Sequence, residues 1–482
     1  MASLRLSRRT LLTLPVALVG ASCSSTDATP SAPRASDAGA PPSRPDAAVS
    51  TPEVDAATPD ASELPVPPGP GPEPSAPWAA PGVETAASFP CGVQSGDAAT
   101  TSVLVNVRTT EPEIELRWVR GTATGWDDAG TKAALVPSAG VVSLEVTGLA
   151  ADTTYAFAAY SKDGVKRSRV ARVRTAIDAG QSRVVRFGAT SCLNTPGAPF
   201  ASMSKVTELG ALDFFCLLGD TLYTDGISDL ESAWTAQLAQ KGLADVTHAT
   251  SVIATWDDHE VENNWTWQSG GIQARFDAAL AAFDRAIPHR AGSGKAKLWR
   301  KLTWGDALEV FVLDCRAERE SGLHVSAAQM AWLKQGLTES KARFKVILSS
   351  VPMTDYSKTI IGSIKDNDRW QGYAQRSELL AHIKASAIKG VLWLSGDLHF
   401  GQIGHVSPGG DVGDDQWEVL CGPSGSNVNV TVHALPTNAQ FSDLVKEWNA
   451  TLFEADPATG RVRVRFIGAT GNVLADRTLS LS

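Results

Sequence analysis

The chain has 482 residues, of which 43% are hydrophobic and 20% charged, a balance that supports buried cores and excludes a wholly disordered protein. At roughly 150 residues per domain the length implies two or three units rather than one small module. The formal net charge is −9, so the chain lacks the basic footprint of a nucleic-acid binder that works through backbone phosphates.

Residues 1–23 read as an export signal. Ser7-Arg8-Arg9-Thr10-Leu11-Leu12 opens an apolar run over 11–21, too short to span a bilayer but of the length of a signal-peptide core. The paired arginines resemble a twin-arginine signal, whose route carries proteins that are already folded. Gly20-Ala21-Ser22-Cys23 resembles a lipoprotein cleavage box, which makes Cys23 either a lipidation site or a bystander at an ordinary cleavage site. Residues 24–82 then hold 15 of the 27 prolines, with eight acidic and two basic side chains. Almost no large apolar side chain is available to offset the entropy of ordering, so a disordered, semi-extended stalk is expected.

Residues 83–176 change to short alternating strands. Period-two runs at 102–108, 114–119, 141–146 and 154–160 each put apolar residues on one face. The stretch Val146-Thr147-Gly148-Leu149-Ala150-Ala151-Asp152-Thr153-Thr154-Tyr155 resembles the tyrosine-bearing corner of fibronectin type III domains, which implies an all-β sandwich. Packing support for the next domain is its expected role, ahead of a substrate lip or an adhesive module.

Residues 182–482 alternate strands with helices. Apolar runs at 184–189, 214–218, 252–256, 308–313, 344–348 and 391–394 are separated by helical patterns at 229–240, 272–286, 326–340 and 376–387. In such α/β sheets the chemistry sits at the carboxyl ends of the strands. The first run ends in Thr190-Ser191-Cys192 and the second in Gly219-Asp220-Thr221-Leu222-Tyr223. The third ends in Trp256-Asp257-Asp258-His259-Glu260-Val261-Glu262-Asn263-Asn264, and a later one in Ser395-Gly396-Asp397-Leu398-His399. Capping explains any one such ending. Four ligand-bearing strand ends together point to a metal centre.

The residue types indicate what such a centre does. A phosphate ester must be neutralised and attacked by hydroxide at working pH, and two cations about 3.5–4 Å apart supply both functions. Phenolate and thiolate ligands require a strongly polarising ion, and phenolate oxygen suits ferric iron, so Tyr223 marks iron. Asp220 has two oxygens with which to bridge two ions.

The order Gly-Asp-x-x-Tyr, then Asp-Asp-His-Glu with Asn263-Asn264, then Gly-Asp-x-His resembles the alkaline phosphatase D family of metallophosphoesterases. The resemblance spans residues 89–430. It includes Phe89-Pro90-Cys91-Gly92-Val93-Gln94-Ser95-Gly96-Asp97, Leu313-Asp314-Cys315-Arg316-Ala317-Glu318-Arg319 and Asp368-Arg369-Trp370-Gln371-Gly372-Tyr373. It implies a calcineurin-like α/β sandwich after the all-β domain, and an exported alkaline phosphatase or phosphodiesterase that works by metal-bound hydroxide attack. It further implies ferric iron on Cys192, Asp220, Tyr223 and His399, beside calcium with Asp258, Asn264 and Asp397 as candidate ligands; manganese or zinc is the alternative. His259 is expected to orient the phosphoryl group or protonate the leaving oxygen, and Asp257 is the second catalytic candidate. Which of Asp257, Asp258, Asn263 and Asn264 touch metal stays open at this level.

The expected substrates are small or polymeric phosphate esters, with mono- and diesters undecided. The protein is expected to be monomeric and periplasmic, anchored to the outer membrane, or extracellular, with membrane contact only through a lipid on Cys23. The competing reading is a stalked surface lipoprotein whose decayed site serves as a binding module; retention of every ligand type argues against it. Ser424 lacks the Gly-x-Ser-x-Gly elbow of a serine hydrolase.

Overall fold

The computed structural model describes residues 73–359, 361–363 and 369–481. The signal segment, Cys23, residues 24–72 of the expected stalk and Asp368 lie outside the described residues. Among the described residues no helix is long and apolar enough to cross a membrane. Residues 73–82, expected to end the stalk, are instead packed on the strands that follow. The Glu73 carboxylate accepts hydrogen bonds from Arg174 Nη1 (3.1 Å) and Thr154 Oγ1 (3.2 Å), and Trp126 Nε1 donates to the Ala76 carbonyl (2.8 Å). Paired acceptors of this kind offset the ordering entropy that a proline-rich chain otherwise leaves unopposed.

Two sheets face each other over residues 83–174. One runs Val83–Glu84, Lys166–Arg167, Thr154–Ser161, Ile114–Thr122 and Gly125–Leu135, with Ala171–Arg174 also paired to Thr154–Ser161. The other contains Val93–Gly96, Ser102–Arg108 and Val141–Thr147. Val103, Val105, Leu116, Phe157 and Val173 fill the space between them. The Ala150 amide donates to the Tyr155 hydroxyl (2.8 Å), closing the corner at which the chain changes sheets.

The second of these sheets continues into the α/β region. Gly96 pairs in parallel with Val252, so one nine-stranded sheet runs from Val473–Ser480 through Arg461–Gly468, Asn449–Asp456, Val185–Thr190, Phe214–Leu218 and Ser251–Thr255 to the three strands just named. A buried ion pair fastens the junction: Arg300 donates to both Asp97 oxygens (2.6 and 2.8 Å). A seven-stranded sheet follows the order Arg300–Trp304, Leu308–Val312, Phe344–Leu348, Val391–Ser395, Trp417–Leu420, Gly401–His405 and Phe441–Val445. Both sheets are mixed, with parallel central strands and antiparallel flanks.

Strand alternation assigns the layers. Phe214, Cys216 and Leu218 pack between the two sheets with Val310, Val346 and Leu394. Phe215 and Leu217 face the helices Ala201–Glu208, Leu230–Leu238, Lys241–Ala249 and Ile272–Ala286. On the far side Phe311 and Ile347 meet Ala327–Glu339 and Ala374–Ala385. The strands are therefore covered on both faces, which explains why they read as continuous apolar runs. Their carboxyl ends open on one rim.

Glycines let the rim loops close on one another. A Cβ at Gly219 would lie 2.6 Å from Asp257 Cβ, and one at Gly396 would lie 2.5 Å from Ser191 Cβ. Only hydrogen fits at either place, so each Gly-Asp pair delivers its carboxylate beside a neighbouring loop.

Candidate metal centre

Loops from both sheets converge here. One ligand atom from each of Cys192, Asp220 and His399 lies within 4.8 Å of the others, and the same holds for Asp220, Asp258 and His259. Asp220 belongs to both groups, so the two triads are adjacent and share a carboxylate. Cys192, Asp220, Asn264, Asp397 and His399 have φ of 59°, 54°, 52°, 71° and 58°. This left-handed backbone costs a non-glycine residue about 1 kcal/mol or more, and such strain gathers at functional sites. Here it turns each residue off its strand end or rim loop.

Tyr223 sits where the first triad meets. Its hydroxyl donates to Asp220 Oδ2 (3.1 Å) and lies 2.7 Å from Ser426 Oγ and 3.3 Å from His399 Nε2. Its ring packs against the His259 ring at a tilt of 32°, with centroids 4.0 Å apart. Asn264 is brought beside the second triad through its amide, which donates to Asp258 Oδ2 (2.5 Å). Asn263 turns elsewhere, its amide donating to Asp225 Oδ1 (2.6 Å). Asp397 lies close enough to act electrostatically on both Cys192 and Asp220.

The anionic groups are crowded and dry. Burial pushes the Asp220 carboxyl well above the carboxylate range, and Asp258, Asp257, Glu260 and Asp397 push it further. Burial and the neighbouring Asp220 raise the Cys192 thiol and the Tyr223 phenol in the same way. The His399 imidazole falls to about 4 through burial, with His259 adding to the shift. Asp220 Oδ1 is buried and accepts no protein hydrogen bond. An orphaned acceptor among carboxylates, a thiol and a phenol is what a cation satisfies, so these residues fit one.

Asp257 is placed differently from the catalytic role expected of it. Its Oδ1 accepts from Arg316 Nε (2.7 Å) and Ser350 Oγ (2.7 Å), and its Oδ2 accepts from Arg316 Nη2 (2.8 Å). Both side chains are 1% exposed. The pair is a strut between strand ends of the two sheets, and it occupies both oxygens that a reacting group would need.

Three further residues serve the centre without having been singled out. Glu260 is buried and accepts the amides of Thr221 (2.6 Å), Asp257 (3.0 Å) and Asp220 (3.2 Å), which clamps two ligand-bearing loops together. Burial pushes its carboxyl up to about 7. Asp225 Oδ2 lies 2.6 Å from His259 Nδ1, and Ser426 touches the Tyr223 hydroxyl. The motif that contains Glu260 hinted at the first; nothing in the sequence marked the other two.

A family model described as PhoD-like phosphatase matches residues 228–471. That span holds Asp258, His259, Asn264, Asp397 and His399 and begins after Cys192, Asp220 and Tyr223. Alkaline phosphatase D of Bacillus subtilis (strain 168) is 24% identical over 377 residues, 64% of this chain and 64% of that protein. The chain thus spans just under two thirds of the curated relative it matches. A solved structure of PhoD superposes with a TM-score of 0.68 at 20% identity, covering 84% of this chain and 90% of that one. Purple acid phosphatase PPD1 from yellow lupin (Lupinus luteus) seeds superposes with a TM-score of 0.58 at 14% identity, covering 80% and 74%. At these identities the two structures show the fold, a metallophosphoesterase-like α/β arrangement of mixed sheets.

Proposed function

This chain belongs to the PhoD-like phosphatase family, and we propose on that premise that it is a phosphoric ester hydrolase acting on small or polymeric phosphomonoesters or phosphodiesters. The observation that carries this is the pair of triads sharing Asp220, in the second of which His259 stands beside the Asp220 and Asp258 carboxylates; the orphaned Asp220 Oδ1 is available to a cation. Cys192, Asp220, Tyr223 and His399 would hold ferric iron, and Asp258, Asn264 and Asp397 would hold calcium, with manganese or zinc as the alternative. When bound, such cations neutralise the ester and lower the pKa of the attacking water.

The remaining steps fall to the chain's own side chains. Asp225 engages His259 at Nδ1, which fixes the tautomer and leaves Nε2 to meet a phosphoryl oxygen or to pass a proton to the leaving oxygen. Asp225→Ala is expected to lower kcat about 10- to 100-fold, the usual effect of removing a partner that orients a reacting group. The loss should fall on kcat more than on KM in initial-rate measurements. An unchanged kcat would remove Asp225 from the mechanism. Arg316, through the Asp257 carboxylate, and Glu260, through the amides of Asp220, Thr221 and Asp257, fix the loops that carry Asp220 and residues 257–259.

The metal assignment has a spectroscopic test. Natively matured protein is expected to contain iron by elemental analysis and to show visible phenolate-to-iron absorption. Tyr223→Phe should lose that band and most of the activity, whereas a fully coloured, fully active variant refutes the iron assignment. Protein that binds no metal and cleaves neither p-nitrophenyl phosphate nor its bis-ester would favour the binding-module reading.

Residues 1–23 are read as a twin-arginine signal that places the enzyme outside the cytoplasm, with Cys23 either a lipidation site or a bystander at the cleavage site. Residues 83–176 are read as a fibronectin type III-like sandwich that supports the metal-binding part, in a monomeric protein. The Asp97–Arg300 pair supports that role for the sandwich.

A further inference from the structure

A cleft of about 290 Å³ opens beside the candidate centre, and Tyr223 forms part of its wall. Leu193 and Leu222 line it, each one residue along the chain from a candidate ligand, together with Ile227, Ala233 and Ala236, while the uncharged polar side chains of Asn194, Thr195, Gln237 and Gln240 complete the lining. None of the lining side chains is charged. The two alanines lie three apart on the helix Leu230–Leu238 and so share a face; their small side chains leave the space that a leucine there would fill. The wall is braced. Asp229 caps the helix at the Ser232 amide (3.0 Å). Gln237 Nε2 donates to the Leu193 and Thr221 carbonyls, both at 2.7 Å, tying the helix to the two loops that carry Cys192 and Asp220. The Leu193 amide donates to the Asp220 carbonyl (2.8 Å), which ties those loops to each other.

We propose that this cleft holds the organic arm of the ester, and that the arm is uncharged and apolar, an alkyl or aryl group. The inference rests on the phosphoesterase reading and adds the substrate class. Its ground is adjacency, because Tyr223, whose hydroxyl meets Asp220 at 3.1 Å, is also part of the wall of this cleft. A charged arm would lose its hydration there and meet no countercharge. An apolar arm gains by burial in proportion to the area it covers, in walls whose shape is already fixed.

Phosphonates test this whichever ester class is cleaved, because they bind without turning over. Methylphosphonate and n-hexylphosphonate would be measured as competitive inhibitors of the metal-replete enzyme, acting on p-nitrophenyl phosphate or its bis-ester. The hexyl compound is expected to bind at least about tenfold more tightly. Ala233→Trp should fill the cleft and bring that ratio close to one. Ala236→Trp, on the exposed side of the helix and tolerant of bulk, should do the same. A ratio near one in the unaltered enzyme, or a tenfold ratio that survives both substitutions, overturns the cleft assignment alone. Absence of turnover on both chromogenic esters overturns the phosphoesterase reading and the cleft assignment with it.

Discussion

Asp220→Asn is expected to strip most of the bound metal and to lower kcat/KM by roughly 10³-fold or more, while flattening the pH dependence of stability in the metal-free protein. The side chain keeps its volume and one carbonyl oxygen but loses the charge shared by both triads. Cations at such sites supply several kcal/mol of charge stabilisation, and each 1.36 kcal/mol is tenfold in rate, which gives a loss on the order of 10³. The stability effect has the opposite sign. Burial and four neighbouring carboxyls hold the Asp220 carboxyl above its ordinary value, so without metal the folded state keeps a proton that the unfolded state releases. The metal-free protein therefore loses stability as pH rises from the ordinary carboxylate range through the raised folded value. Asparagine has no proton to lose, which removes this part of the slope. Glu260, raised from 4.5 to about 7, retains its own part over that interval. Thermal unfolding of chelator-treated protein and variant between pH 4 and 8, beside elemental analysis, would decide the matter. Full metal content in the variant, or identical slopes in the two proteins, would remove Asp220 from the centre.

What could be read in advance follows from how locally each feature is determined. Strands at 102–108, 214–218 and 344–348 and the helix at 272–286 fall where their periodicity puts them, because burial on known faces sets their pattern. The strand Gly125–Leu135 escaped. It is an exposed edge with little apolar alternation, and Asp127, Asp128 and Lys132 stand where a buried strand would carry aliphatics; it is held by pairing with Ile114–Thr122. The ordering of residues 73–82 is invisible for a related reason, since the partners of Glu73 are about 80 to 100 residues further on.

The candidate ligands were legible because turn residues at strand ends announce themselves. Their supports were not, because each is defined by a distant partner: Asp225 and His259 are 34 residues apart, Asp257 and Arg316 are 59 apart, and Tyr223 and Ser426 are 203 apart. The neighbours Asp257 and Asp258 show the limit most clearly. Two consecutive carboxylates look alike in a sequence, yet one stands in a candidate ligand triad and the other in an internal ion pair.

That division predicts the second large effect, on stability. Arg316→Ala is expected to destabilise the protein by about 3–5 kcal/mol in denaturant titrations, since it leaves the Asp257 carboxylate buried without its countercharge. Only the Ser350 hydroxyl would remain of the partners described above for its two oxygens. Asp257→Asn should also lose stability, by less, because Arg316 keeps a weaker contact with Asp258 at 3.6 Å. Replacing both members of the pair by apolar residues of similar volume, Arg316→Met with Asp257→Leu, should recover much of the loss, as buried pairs exchanged whole commonly do. A catalytic Asp257 would behave otherwise. Its asparagine variant would unfold like the unaltered protein and fail only in turnover, and the double exchange would restore nothing. Equal denaturant midpoints for Asp257→Asn and the unaltered chain, together with a collapsed kcat, would return Asp257 to the reacting groups and leave Arg316 without the partner proposed for it.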